Sequence, residues 1–246
     1  MGNSSTEPLD VRELDLPALS EMFGRVPYGR VILALYDPDS QYSSLMVNVA
    51  AGHLKANGDL LYLVSSRPVA EIRKQFNDLG VNIAEYEAKD NAVLFDAYSA
   101  LVGVKSTEKF QTKTSNLSDV SIVISESAPQ WPAGTLVVNE SFSNFPVSQQ
   151  SMFARFSRKV VGVWRAQGTV MIVGMAVDIY PPEFYQEMKL VADGTFEVKI
   201  REQRGEIINS IRARGMKGQR SDSRWRQILF DDKMRASLQL IEQQAT

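Results

Sequence analysis

Apolar residues along the chain follow two rhythms. Short unbroken runs recur at Arg30–Tyr36, Asp59–Ser65, Ala92–Asp96, Thr135–Val138 and Thr169–Val177, bounded by Gly, Pro or Asp. Runs of this length read as strands buried on both faces. Between them the spacing is helical. Leu45, Met46, Val49, Ala50 and Leu54 share a face before Gly58, and a second stretch opens at Pro68 and closes at Gly80. A third helix is expected over 120–128, with Asp119 as its cap. Met152, Phe153, Phe156, Val160, Val163 and Trp164 predict a fourth across 147–165, and Pro181-Pro182 open a fifth that ends near Val191. Proline in a first turn and glycine after a last apolar residue are the start and stop signals used here.

The rhythm changes near the end. Phe196–Ile200 and Ile207–Arg214 flank Gln203-Arg204-Gly205-Glu206 and predict a β-hairpin. Trp225–Phe230 predicts a further strand and the last residues a helix. The fold class expected is α/β: a mostly parallel sheet with helices on both faces and an antiparallel C-terminal hairpin edge. Residues 1–15 are expected to form a flexible tail and 16–246 a single domain, because no Gly-, Pro- or Ser-rich linker intervenes. The polar loop 103–119 is long enough to invite a functional or mobile reading.

Composition then removes chemistry. With no cysteine among 246 residues, disulfides, thiolate metal sites and cysteine nucleophiles are excluded. One histidine, His53, excludes multi-histidine metal sites and is expected to be structural, since the sequence offers it neither an acid partner nor a nucleophile. A net charge of −2 speaks against nucleic-acid binding through bulk charge. No apolar run is long enough to span a bilayer, and the opening MGNSSTEP has no signal-peptide core, so a cytoplasmic protein without membrane contact is expected. Gly2 and Thr6 loosely fit a myristoylation pattern, which we read as an incidental feature of the tail.

In a sheet of this kind ligands sit beyond the carboxyl ends of the strands. The loop after the first strand reads Tyr36-Asp37-Pro38-Asp39-Ser40-Gln41-Tyr42-Ser43-Ser44. Asp37 and Asp39 flank a proline, a turn with solvated carboxylates more readily than a cation site. Tyr36 and Tyr42 either stack on a ligand ring or fill the space themselves. The stretch 201–226 carries eight basic residues, Arg201, Arg204, Arg212, Arg214, Lys217, Arg220, Arg224 and Arg226, against Glu202, Glu206 and Asp222. A nucleic-acid patch is one reading; a hairpin with outward charges, some at a subunit boundary, is preferred for want of interleaved aromatics.

Here the chain resembles the KaiC-like branch of the RecA-type ATPases. Gly24-Arg25-Val26-Pro27-Tyr28-Gly29 is similar to the family's Gly-x-x-Pro-x-Gly opening. Leu60-Leu61-Tyr62-Leu63, Phe95-Asp96-Ala97-Tyr98-Ser99 and Val137-Val138-Asn139-Glu140-Ser141-Phe142-Ser143 resemble its next strands. Ala192-Asp193-Gly194, Ile211-Arg212-Ala213-Arg214-Gly215-Met216-Lys217-Gly218, Asp222 and Trp225 follow in order, over about residues 16–232.

The departures from the family pattern set the functional expectation. Counted from Gly29, the phosphate loop Gly-x-x-x-x-Gly-Lys-Ser/Thr places its first glycine on Tyr36, its other glycines on Asp39 and Gln41, and its lysine on Tyr42; Ser43 keeps the hydroxyl. The family's paired water-activating glutamates fall on Ser66 and Arg67, neither a general base at neutral pH. Glu140 keeps a carboxylate at the magnesium-side position. Lys217 keeps one of two basic residues that the family presents to a neighbouring subunit, and Gly215 replaces the other. The segments matching the family's DNA-binding loops, Asn144–Gln150 and Asp178–Pro182, hold no basic residue. The resemblance thus implies a non-hydrolysing pseudo-ATPase with no catalytic residue, metal or cofactor, acting as a regulatory or scaffolding protein in signalling. Its implied partners are copies of itself or an active KaiC-like paralogue, with the protein partner unnamed. The alternatives are a weak ATP- and magnesium-binding protein with a non-standard phosphate loop built on Ser40, Ser43 and Glu140, and a nucleic-acid binder through residues 201–226.

Overall fold

A computed structural model of the chain describes residues 12–145, 150–203 and 205–241, with the side chains of Gln150 and Gln203 left out. In chain order the strands are β1 Glu13–Leu14, β2 Val26–Pro27, β3 Val31–Tyr36, β4 Leu60–Val64, β5 Ala92–Asp96, β6 Leu136–Asn139, β7 Val170–Ala176, β8 Gly194–Gln203, β9 Glu206–Met216, β10 Arg226–Phe230 and β11 Ala236–Leu240. The helices are α1 Ser20–Phe23, α2 Tyr42–Lys55, α3 Val69–Asp78, α4 Ile83–Ala88, α5 Tyr98–Val102, α6 Leu117–Ser127, α7 Gln150–Ala166 and α8 Pro182–Val191.

Nine strands form one sheet in the order β11-β10-β9-β8-β3-β7-β6-β4-β5. The six from β8 to β5 are parallel, and β9, β10 and β11 extend the sheet antiparallel. The expected α/β class with an antiparallel C-terminal edge is therefore the observed one. In β3 the side chains alternate between two cores: Ile32 and Ala34 join the core under α2 and α3, while Val31, Leu33 and Leu35 join the one under α6, α7 and α8. That period of two inside a run buried on both sides is why the strand reads as continuously apolar. At the amino ends of the strands, Asp193 accepts from Val31 N at 2.9 Å, Arg30 at 3.0 Å and Arg165 at 2.8 Å, tying β3, α7 and the start of β8.

Three expectations change. Residues 13–14 of the expected tail form β1, paired with β2, and Arg12 O accepts from Tyr28 N; residues 1–11 lie outside the described residues. Where the C-terminal helix was expected, residues 236–240 form β11, because Ala236 and Leu238 alternate onto the core while Asn48 of α2 holds the β10–β11 turn from both sides; residues 242–246 lie outside the described residues. Helix α6 starts at Leu117 under an Asn116 cap, whose Oδ1 accepts from Asp119 N at 2.8 Å. Asp119 instead accepts from Lys113 N and Thr114 N at 3.0 and 2.9 Å, folding the loop before the helix. The rest of the 103–119 loop is held by Asp96, which accepts from Ser99 and Ser106, and by Arg73, which bridges Glu87 and Glu108.

Candidate functional site

Strands β3, β4, β6 and β7 end around one cleft of about 260 Å³, lined by Tyr36, Ser40, Tyr42, Ser43, Ser66 and Glu140 among others. The β3–α2 loop forms its floor. Ser40 N donates to Asp37 O at 2.9 Å, closing a tight turn around Pro38. Asp37 is stitched onto β8: its N–H donates to Val198 O at 3.0 Å, and its Oδ2 accepts from Ile200 N at 2.8 Å. Gln41 N–H donates to Asn209 Oδ1 at 2.7 Å. Asp39 alone of the two aspartates is exposed. No residue from 37 to 41 has a positive φ, the conformation that glycines supply most cheaply.

Tyr36 and Tyr42 stack on one another, ring centroids 4.1 Å apart and planes 9° apart. The question of whether they fill the space themselves is answered for Tyr42, which is 1% exposed. A Cβ at Gly174 would overlap the Tyr42 hydroxyl and the Glu140 carbonyl, so the glycine in β7 is what lets the ring lie there. Burial pushes the Tyr36 phenol up to about 12, with the Tyr36–Ser141 hydrogen bond working against it and the Glu140 charge with it. Burial likewise raises Tyr42 well above the phenol range. Both are neutral at physiological pH and supply no charge; Tyr36 donates to Ser141, whereas the Tyr42 hydroxyl has no hydrogen-bond partner among the described residues.

Glu140, 1% exposed, is fully occupied. Its Oε1 accepts from Ser43 Oγ at 2.6 Å; its Oε2 accepts from Ser65 N at 3.2 Å and Ser66 N at 3.1 Å. The Arg67 guanidinium donates to Ser43 Oγ and lies 3.6 Å from Glu140 Oε1. A buried carboxylate needs this combination of a cation and donors for its remaining lone pairs. A web of hydroxyls continues from it: Tyr36 Oη donates to Ser141 Oγ at 2.7 Å, Asn144 Nδ2 to Ser65 Oγ at 3.0 Å, and Ser143 Oγ accepts from Ala176 N at 2.9 Å. The Arg67–Glu140 pair, the Tyr36–Tyr42 stack and the Asn209 cap were not legible as partnerships in the sequence. The first and last join residues far apart in the chain, and the stack joins the end of a strand to the start of a helix across a turn; periodicity within one element reports none of these.

Most of the candidate residues therefore meet: Tyr36, Asp37, Asp39, Ser40, Gln41, Tyr42, Ser43, Ser66, Arg67 and Glu140 lie at this end of the sheet. Ser44 does not; it faces a separate groove between α2 and α3 with Asn48 and Gln75. Lys217 is also elsewhere. Its Nζ donates to Ala192 O at 2.7 Å and Leu190 O at 3.3 Å, capping the carboxyl end of α8 in its own chain. His53 is buried on α2, its Nε2 3.0 Å from Asp59 O and its ring filling the space that Gly58 lacks.

In the basic stretch, Arg201 and Arg212 lie over the Trp225 ring, 4.7 and 4.4 Å from its centroid. Arg212 and Arg214 pair with Glu197, while Arg224 and Arg226 pair with Asp222. An aromatic residue does interleave here, but arginines of the same chain cover it. Among the described residues no group of three or more His, Cys, Asp or Glu could hold a metal ion, and no helix is long and apolar enough to cross a membrane.

No family model matches the chain, and a search of curated proteins finds no match. Among solved structures it is similar to the crystal structure of a KaiC-like protein from the hyperthermophilic archaeon Pyrococcus horikoshii OT3. The TM-score is 0.73 at 12% identity, over 94% of this chain and 100% of that one. A likeness at that identity is one of fold: the chain has a KaiC-like, RecA-type fold.

Proposed function

We propose that this chain is a non-hydrolysing member of the KaiC-like group, a pseudo-ATPase that serves as a regulatory or scaffolding protein in signalling. The observation that carries the reading is Tyr42. A neutral, fully buried ring stands at the first residue of α2, where a phosphate loop needs a lysine. Two further features support it. A phosphate loop aims backbone N–H groups at the anion, whereas the Asp37, Ser40 and Gln41 N–H groups are spent within the chain. Glu140 is likewise spent on Ser43, Ser65, Ser66 and Arg67, with no water-activating acid beside it. A magnesium-bound triphosphate does not fit these residues, and no reaction step is assigned to it.

On this reading the cleft is a structural relic, and function lies in contacts with copies of the chain or with an active KaiC-like paralogue. Lys217 belongs to α8 in the isolated chain and would have to leave two carbonyls to reach a neighbour. The test is phosphate release from Mg-ATP by the purified protein: no turnover above buffer is expected, and turnover abolished by Glu140→Ala would overturn the reading. One observation favours the second reading, a weak ATP binder with a non-standard loop. Arg67 brings a cation to within 3.6 Å of Glu140, beside the Ser43 hydroxyl. That reading requires Mg-ATP affinity that falls in both Glu140→Ala and Arg67→Ala. The nucleic-acid reading is the weakest of the three, because Arg212, Arg214, Arg224 and Arg226 are paired with acids of the same chain; it requires binding that falls steeply with salt.

A further inference from the structure

A second concavity, of about 460 Å³, lies between the first halves of α6 and α7, on the core face opposite α2. Both helices return the chain between parallel strands, so their first turns come together with the positive ends of their dipoles. Phe156 makes an apolar floor, 5% exposed, and Ile122 and Met152 stand over it at 51% and 46% exposed. Arg155 and Lys159, one helical turn apart on α7, are exposed, and neither forms an ion pair with a described residue. No acidic residue is among the described residues that line the groove. Ser121 also lines it, 6% exposed.

A stable helix pair has no need of this combination. Large apolar side chains left half in water beside unpaired cations mark a surface that is completed by something else. We propose that the α6–α7 groove docks an acidic amphipathic peptide segment of a partner protein. A large apolar side chain would seat between Ile122, Met152 and Phe156, and carboxylates would meet Arg155, Lys159 and Ser121. Charge complementarity selects this occupant: the rim is positive, and a concave groove suits a helix or extended peptide laid along it. The inference names a partner class for the scaffolding function proposed above and rests on that reading.

The experiment uses the full chain with methyl-labelled methionines, Met152 being assigned through Met152→Leu. The probe is a synthetic amphipathic peptide with leucines at i, i+3, i+4 and i+7 and glutamates on the flanks; a lysine-flanked counterpart is the control. Expected is a shift of the Met152 methyl resonance with the glutamate peptide alone, weakened about tenfold or more by Arg155→Glu with Lys159→Glu. The proposal is overturned by an unmoved Met152 resonance, by equal binding of the lysine peptide, or by indifference to the charge reversal. Occupancy of the groove by a second copy, seen as a dimer that Met152→Asp dissociates, would overturn it too, as would Met152-dependent binding to anionic vesicles without peptide binding. Mg-ATP turnover in a protein that still binds the glutamate peptide would remove the pseudo-ATPase reading and leave the groove standing; silence toward both would remove the groove alone.

Discussion

Arg67 and Glu140 sit in the most demanding environment of any ion pair at the cleft, the carboxylate side chain 2% and the guanidinium side chain 21% exposed. Removing the cation leaves a buried carboxylate with neutral donors only. Arg67→Ala should therefore lower stability by about 2 kcal/mol, read as a lower urea midpoint, and Arg67→Ala combined with Glu140→Gln should recover part of it. Equal midpoints for wild type and Arg67→Ala would show that the pair contributes nothing. His53 gives a second test. Burial lowers its pKa below 6.5, with the Asp59 carbonyl partly opposing. The unfolded chain thus takes up a proton that the folded chain refuses, so stability is complete above pH 6.5 and declines as pH falls below it toward the depressed folded value. Because this is the only histidine, His53→Gln should flatten that part of the urea-midpoint profile; an unchanged slope would assign it to carboxylates. The structural role of His53 was legible from its isolation in the sequence. Arg67 was legible only as a missing acid, because its partner lies 73 residues away, where no spacing rule reaches.

On the proposed reading, the β3–α2 loop absorbs several substitutions together. Tyr42 is packed beneath β7 by the absence of a side chain at Gly174, and Gln41 is capped from β9. On that reading, placing a lysine at position 42 alone does not make a phosphate loop. Tyr42→Lys should place a charge in an apolar site and destabilise by about 3 kcal/mol or more without creating nucleotide affinity; a folded Tyr42→Lys protein that binds Mg-ATP would show the loop to be one substitution from function. At the other edge, Asn48 accepts from Ala236 N at 2.8 Å and donates to Met234 O at 3.0 Å. Asn48→Ala should speed amide exchange in β11 by roughly fivefold to tenfold, about 1 kcal/mol for a lost hydrogen bond, and leave β3 protected. Strands β3 to β7 were legible because each is an apolar run closed by a breaker. Strand β11 was not: Ala-Ser-Leu-Gln-Leu fits either period, and the contact that decides it comes from α2. The short helix α4 escaped for the same reason, six residues being too few to show a period.

At the scale of the whole molecule, the order of strands and helices carried the fold, and the likeness at 12% identity shows how little residue identity that order requires. What the order does not carry is activity. The same sheet presents its strand ends whatever loop stands there; here two stacked tyrosines and a carboxylate bonded within the chain line it, and we read them as unsuited to phosphate. The central claim is that this cleft no longer takes a triphosphate. Isothermal titration of the full chain with Mg-ATP and Mg-ADP, at about 0.15 M salt so that only close contacts count, tests it most directly. The account expects no heat of binding up to millimolar nucleotide. Saturable binding in the micromolar range, lost in Glu140→Ala, would contradict it.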